Sequence, residues 1–192
     1  MEQVAFNYLQ QAVELFYIND MDALDLQSME RSYLFRIAHY LQNLIASDMR
    51  FQGIVVDCEY SKRINEDHTT STKSIPNIDS TQKQIIPDLI VHQRNTHDKN
   101  LLFVEIKGYW NSIKADWEKD HYKLTYHTQQ PQNELEPNLG YAMGVFIMLG
   151  QHKPHFTQYQ QGKIIDGEQP KNFIGKNKKT NKIISKNTKA NT

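Results

Sequence analysis

Ile85 to Gly108 reads IIPDLIVHQRNTHDKNLLFVEIKG: two short aliphatic runs either side of a stretch, Gln93 to Asn100, that holds no apolar residue. Runs of this length bounded by breakers suit central strands, and the polar stretch between them suits a hairpin turn. Side chains alternate along a strand, so Asp88 shares a face with Ile90 and His92, and Glu105 and Lys107 share one with Phe103. In an antiparallel pair the start of one strand lies opposite the end of the next. Asp88 is thereby brought to Glu105 and Lys107, and two carboxylates and an ammonium converge.

Such a trio has a physical use. Hard carboxylate oxygens suit Mg²⁺ or Mn²⁺, and such an ion polarises a phosphoryl group and lowers the pKa of bound water. A lysine beside it can orient or deprotonate that water, or steady developing charge. Glu105 and Lys107, two apart on a strand, also suit a plain surface ion pair, which is worth about 0–1 kcal/mol. Against that, acids and lysines are poor strand formers, and here they interrupt aliphatic runs.

Pro87-Asp88, a spacer, and Glu105-Ile106-Lys107 inside a hydrophobic strand resemble the PD-(D/E)xK nuclease superfamily. The resemblance implies a restriction-endonuclease-like α/β core: a central mixed four-stranded sheet flanked by helices, in the order αβββαβ. It implies that Asp88 and Glu105 hold Mg²⁺ or Mn²⁺ with help from the Ile106 carbonyl, and that Lys107 is the catalytic lysine. The reaction implied is hydrolysis of phosphodiester bonds in nucleic acid, with DNA ahead of RNA by family habit. The match covers roughly residues 28 to 150.

The rest of the chain supplies the expected frame. Val4, Tyr8, Leu9, Ala12, Val13 and Phe16 recur at helical spacing, and Asn19-Asp20 reads as a stop. A second helix starts at a Ser28 cap and runs through Met29, Tyr33, Leu34, Ile37, Ala38, Leu41, Leu44 and Ile45. Glu30 borders its apolar face and matches the glutamate that many members of the superfamily carry on the helix before the sheet. The same position is one where an acid favours the helix dipole. Arg31, Arg36 and His39 read as surface groups.

Ile54, Val56, Cys58 and Tyr60 alternate in a strand with other residues, the last two of which, Asp57 and Glu59, are reserve ligands or solvated acids. Ser61 to Gln84 is a polar insertion with few anchors; an insertion this long without structure of its own is usually functional or disordered. Ser112 to Gln129 reads as a helix with Ile113, Trp117, His121 and Leu124 on one stripe. There Asp120-His121-Tyr122-Lys123-Leu124 resembles the run that follows the active strand in several nuclease families, so Lys123 is placed to bind a phosphate, or simply pairs with Asp120. Pro131 to Asn138 reads as a loop, Tyr141 to Leu149 as a buried strand beside the active one, and Gln158 to Asp166 as an edge hairpin.

The organisation is one nuclease-like domain over residues 1–170 and a Lys-, Asn- and Thr-rich tail over 171–192 with little to bury. Of the 22 Lys and Arg, seven are lysines of the tail, which has no acid, so all 22 Asp and Glu sit in an acidic body. The tail suits contact with phosphates or simple solubilisation. No apolar run long enough to span a bilayer and no hydrophobic leader is present, so neither a membrane nor secretion is expected. The single cysteine, Cys58, excludes an internal disulfide, fits a reducing cytosol and reads as a small buried hydrophobe. Eight histidines form no recognisable zinc motif and read as surface or supporting groups, with His92 on the Asp88 face. No phosphate-binding glycine loop and no Gly-x-Ser-x-Gly occurs. A second reading keeps the fold without catalysis, as a nucleic-acid-binding or assembly subunit of a defence or mobile-element complex. A symmetric homodimer would suit double-strand cutting, and a larger complex is equally open, since nothing in the sequence encodes a dimer face.

Overall fold

The protein's structure, a computed structural model, describes residues 1–26, 30–64, 69–76, 82–96, 98–111, 114–130 and 139–167. The Ser28 cap, Met29, His97, Ile113, the 131–138 loop and the 171–192 tail lie outside the described residues.

Helices α1 (Glu2–Asn19) and α3 (Glu30–Ala46) follow the apolar spacing read from the sequence, with Leu9, Val13, Phe16, Ile37 and Leu41 fully buried. A short helix, α2 (Met21–Asp25), which the sequence did not announce, fills the turn between them. Asp20 caps the end of α1 and ties the junction down, accepting from Arg36 Nε at 2.7 Å and from the Tyr40 hydroxyl at 2.6 Å. Beyond a 3-10 turn at Met49–Phe51 come β1 (Ile54–Cys58), β2 (Lys62–Ile64), β3 (Thr70–Thr72), β4 (Ser74–Pro76), β5 (Gln82–Gln84), β6 (Leu89–Gln93) and β7 (Asn100–Gly108). Helix α4 (Lys114–His127), β8 (Met143–Leu149), β9 (Pro154–Gln160) and β10 (Lys163–Asp166) complete the described elements.

One sheet has the order β1-β6-β7-β8-β9-β10, with β7 and β8 parallel and every other pair antiparallel. The main sheet therefore holds six strands, not the four expected. The first four in order are the anticipated core. The addition is the hairpin β9–β10: β9 pairs along β8, Ile147 opposite Phe156, so β8 is a central strand, not an edge. Helices α1 and α3 cover one face of the sheet, where Leu89, Val91, Leu102, Val104, Ile106, Val145, Ile147 and Leu149 form a continuous core with them. Ile90, Phe103 and Phe146 point to the opposite face and pack with Leu124 of α4 and with Tyr141 and Tyr159.

Four local readings are corrected. The strand expected from Ile85 begins only at Leu89, because Pro87 has no N–H to give a ladder and Asp88 uses its side chain instead of its backbone on the facing strand. The insertion is not structureless: β2 pairs with β3 and β4 with β5. Ile75 and Ile85 join the Ile90–Phe103 cluster, so this segment covers part of the sheet. That cover explains the third correction: Asp57, read as solvated or a reserve ligand, is buried under it, with His92 Nε2 at 2.9 Å and the Arg94 guanidinium on its carboxylate. Cys58 is exposed, not buried, because β1 is the sheet edge and ends there. Histidines 92, 121 and 127, read as surface or supporting groups, are buried.

Candidate active site

The site forms where β6 begins and β7 ends. Leu89 lies opposite Val104, so the next step of the register sets Asp88 beside Glu105. Asp88 Oδ2 accepts from the Ile106 backbone N–H at 2.7 Å. That bond fixes the carboxylate against the main chain of β7 and brings Asp88, Ile106 and the flanking Glu105 together.

All nine residues of β7 are buried, Glu105 and Lys107 included. Glu105 Oε2 accepts from Lys123 Nζ at 2.5 Å. Lys107 Nζ is 2.8 Å from Glu30 Oε1 and 3.3 Å from Asp120 Oδ2, and Lys123 Nζ is 2.7 Å from Asp120 Oδ1. Each side chain is delivered by a different piece of the fold. Glu30 comes from the first turn of α3, Lys107 from the end of β7, and Asp120 and Lys123 from one face of α4. On α4 the buried stripe runs Asp120, His121, Leu124, His127, a helix face of which only part is apolar.

The charges are unbalanced. Glu30, Asp88, Glu105 and Asp120 are four acids against the ammoniums of Lys107 and Lys123. Burial pushes the half-buried Asp88 up to about 6, with Lys107 and the Ile106 N–H partly offsetting it. Glu105 is raised well above its ordinary value, first by burial and then by Asp88. Burial works against the charge on Lys107, but Asp88, Asp120 and Glu30 outweigh it and hold the ammonium above its usual range. Lys123 is raised in the same way by Glu105 and Asp120. Two carboxylates are thus held where their charge is costly, and both lysines stay protonated.

A divalent cation fits this imbalance. Glu105 Oε1 is buried and has no hydrogen-bond partner among the described residues, an oxygen lone pair that burial leaves uncompensated. Among the described residues no three His, Cys, Asp or Glu side chains are grouped as a ready-made metal centre. The donors present are two carboxylates and a strand carbonyl, a small oxygen set of the kind that suits Mg²⁺, which keeps several of its waters.

Asp88, Glu105, Ile106, Lys107, Glu30 and Lys123 therefore come together, as the sequence reading expects. Lys123 pairs with Asp120 at i,i+3, but buried inside the site and shared with Glu105 rather than in solvent. Asp57 and His92 pair with each other away from it, and Glu59 turns out to Arg31 at 2.8 Å. Two neighbours were not singled out. Asp120 was marked by the i,i+3 spacing to Lys123 and by the run it opens, but not as a site residue. Tyr33, one turn after Glu30, read as plain core; its phenol is pushed up by burial and then by Glu30, and its ring stands edge-on to Trp110 at 6.1 Å.

No protein-family model matches the chain, and no curated protein sequence matches it. Among solved structures, the chain is similar to one in "cryoEM structure DrdV-DNA complex", at 10% sequence identity and a TM-score of 0.37. That likeness covers 86% of this chain and 12% of the other, so this chain spans a small part of that protein's length.

Proposed function

We propose that this chain is a metal-dependent nuclease of the PD-(D/E)xK type that hydrolyses phosphodiester bonds of nucleic acid, with DNA as the substrate. The observation that carries the reading is the Asp88 carboxylate bound to the Ile106 N–H at 2.7 Å, with the orphaned Glu105 oxygen beside it and Lys107 two residues on. Asp88, Glu105 and the Ile106 carbonyl would hold Mg²⁺ or Mn²⁺. A bound ion of this kind supplies Lewis-acid activation of the phosphodiester and of the attacking water.

The chain's own residues set the rest of the chemistry. Lys107, paired with Glu30 and Asp120, would set its nitrogen beside the attacking water and the developing charge of the pentavalent phosphorus transition state. Glu30 orients that ammonium from the opposite element. Lys123, a second lysine, paired with Glu105 and Asp120, would take a phosphate oxygen. Burial of Glu105 and Lys107 keeps these charges in a low-dielectric setting, where they act more strongly than in water.

The test is cleavage of linear, circular, branched and single-stranded DNA, with RNA alongside, by wild type and Lys107→Ala in Mg²⁺, Mn²⁺ and EDTA. Cleavage that requires metal and is lost in the variant supports the reading and defines the substrate. A wild type inert on every substrate, with no heat of Mn²⁺ binding, refutes it.

A further inference from the structure

Asp120 lies outside the motif that marks the site in the sequence, yet it is the carboxylate to which both lysines run. Its Oδ1 is 2.7 Å from Lys123 Nζ, and its Oδ2, which accepts no hydrogen bond among the described residues, stands at an ion-pair distance of 3.3 Å from Lys107 Nζ, with the side chain 8% exposed. Among the described residues no other carboxylate contacts both: Glu30 meets Lys107 and Glu105 meets Lys123. The two lysines come from different elements, β7 and α4, and each carries its charge on a flexible four-carbon stem. A buried anion between them pairs with both ammoniums, with Lys123 at hydrogen-bond distance and with Lys107 through charge.

The consequence reaches Glu105. Lys123 is divided between Glu105 and Asp120, and without Asp120 its whole charge would fall on Glu105, in competition with a cation. We propose that Asp120 is a positioning residue: it bridges Lys107 and Lys123, keeps both at the Asp88–Glu105 pair, and draws Lys123 off Glu105 enough for that carboxylate to accept a metal ion. This rests on the nuclease reading for the reaction it serves, while the bridge itself is a property of the folded chain.

Two readouts separate the bridge from the reaction. The first is the ammonium spectrum of the full ¹⁵N-labelled chain, where buried, ion-paired lysines exchange slowly enough to observe; Lys107→Arg and Lys123→Arg assign the two signals. Asp120→Asn, which keeps the shape and removes the charge, is expected to shift or broaden both. The second is kinetics in Mn²⁺. Asp120→Asn is expected to lower kcat roughly 10–100-fold, the usual size for loss of a supporting partner, with KM for nucleic acid near that of wild type. Asp120→Glu, which keeps the charge, is expected to recover part of kcat and carries the same readouts if the Asn variant fails to fold. A shift of the Lys123 signal alone, as a local i,i+3 pair on α4 would give, overturns the bridge. Both signals moving with kcat unchanged overturns the positioning role while leaving the nuclease reading intact. A wild type that cleaves nothing ends both together.

Discussion

Lys107 Nζ stands 2.8 Å from Glu30 Oε1 across 77 residues of chain, joining the first turn of α3 to the end of β7. Lys107 is buried, but the Glu30 side chain is 35% exposed. Breaking a fully buried pair costs about 3–5 kcal/mol, an exposed one about 0–1. Glu30→Gln is therefore expected to lower stability by about 1–2 kcal/mol in urea denaturation at neutral pH. A loss below a few tenths would show that water has already screened the pair.

Asp88 carries the opposite sign. Its folded-state value of about 6 lies above the ordinary 3.8, and burial is the leading cause. Between those values the folded chain holds a proton that the unfolded chain has released, so this group makes stability fall as pH rises from about 4 to 6. Above that its cost is fully present. Asp88→Asn keeps an acceptor for the Ile106 N–H without the charge, and is expected to raise Tm at pH 7 while abolishing cleavage. The gain should shrink toward zero near pH 4; a gain independent of pH would rule out the buried charge as its source.

Lys73 offers a separate titration, at the Tyr60 and Lys62 carbonyls. It is 2% exposed, with Nζ donating to the Tyr60 and Lys62 carbonyls at 2.7 and 2.6 Å, and burial lowers its pKa from 10.5 to about 7. Between pH 7 and 10.5 the unfolded chain binds the extra proton, so wild-type stability gains from this group as pH rises through that window. Lys73→Met removes the titration. The stability difference between wild type and variant should move in favour of wild type from pH 7 to 9.5; a flat difference would mean that the ammonium is better solvated than its burial implies.

Gly144 couples packing to the site. A Cβ there would meet Thr128 Cγ2 at 3.0 Å, Leu124 Cδ2 at 3.1 Å and Tyr159 Cβ at 3.2 Å, so the glycine sets how closely α4 approaches β8. Gly144→Leu must push away the helix that carries Asp120 and Lys123. Overpacking of this kind costs about 1–3 kcal/mol, and the displacement should lower kcat in the molecules that remain folded. Loss of stability with full activity per folded molecule would show that the site tolerates a shifted α4.

A metal that binds only the folded chain stabilises it, by about 2.7 kcal/mol at 100 times its dissociation constant. Mn²⁺ is expected to raise Tm of wild type and to leave Glu105→Gln unmoved. An equal rise in both would place the ion elsewhere.

Much of this site is legible in the sequence. Asp88, Glu105 and Lys107 interrupt aliphatic runs where strands do not favour charge, and alternation with an antiparallel turn already brings them together. Glu30 is marked by its place at the border of the apolar face of α3. Asp57 fails for a definite reason: alternation along β1 correctly sets it on the face opposite Ile54, but cannot tell that Ile75 and Ile85 of the insertion fold over that face. Burial there depends on a segment brought back by tertiary contacts, and a polar composition alone reads as solvated.

What the sequence determined was local and periodic: the helices α1 and α3, the β6–β7 hairpin, and the spacing that puts an acid and a lysine on one strand face. These follow from short-range rules, 3.6 residues per helical turn and two per strand repeat. Tertiary structure alone decided the charge network. Whether Lys123 is a solvated surface lysine or a buried partner of Glu105 depends on how closely α4 lies on β8, which Gly144 permits. That Asp120 faces two ammoniums at once depends on β7 and α4 meeting at one end of the sheet. Electrostatic roles are set by distance and dielectric, and neither is written in the order of the residues.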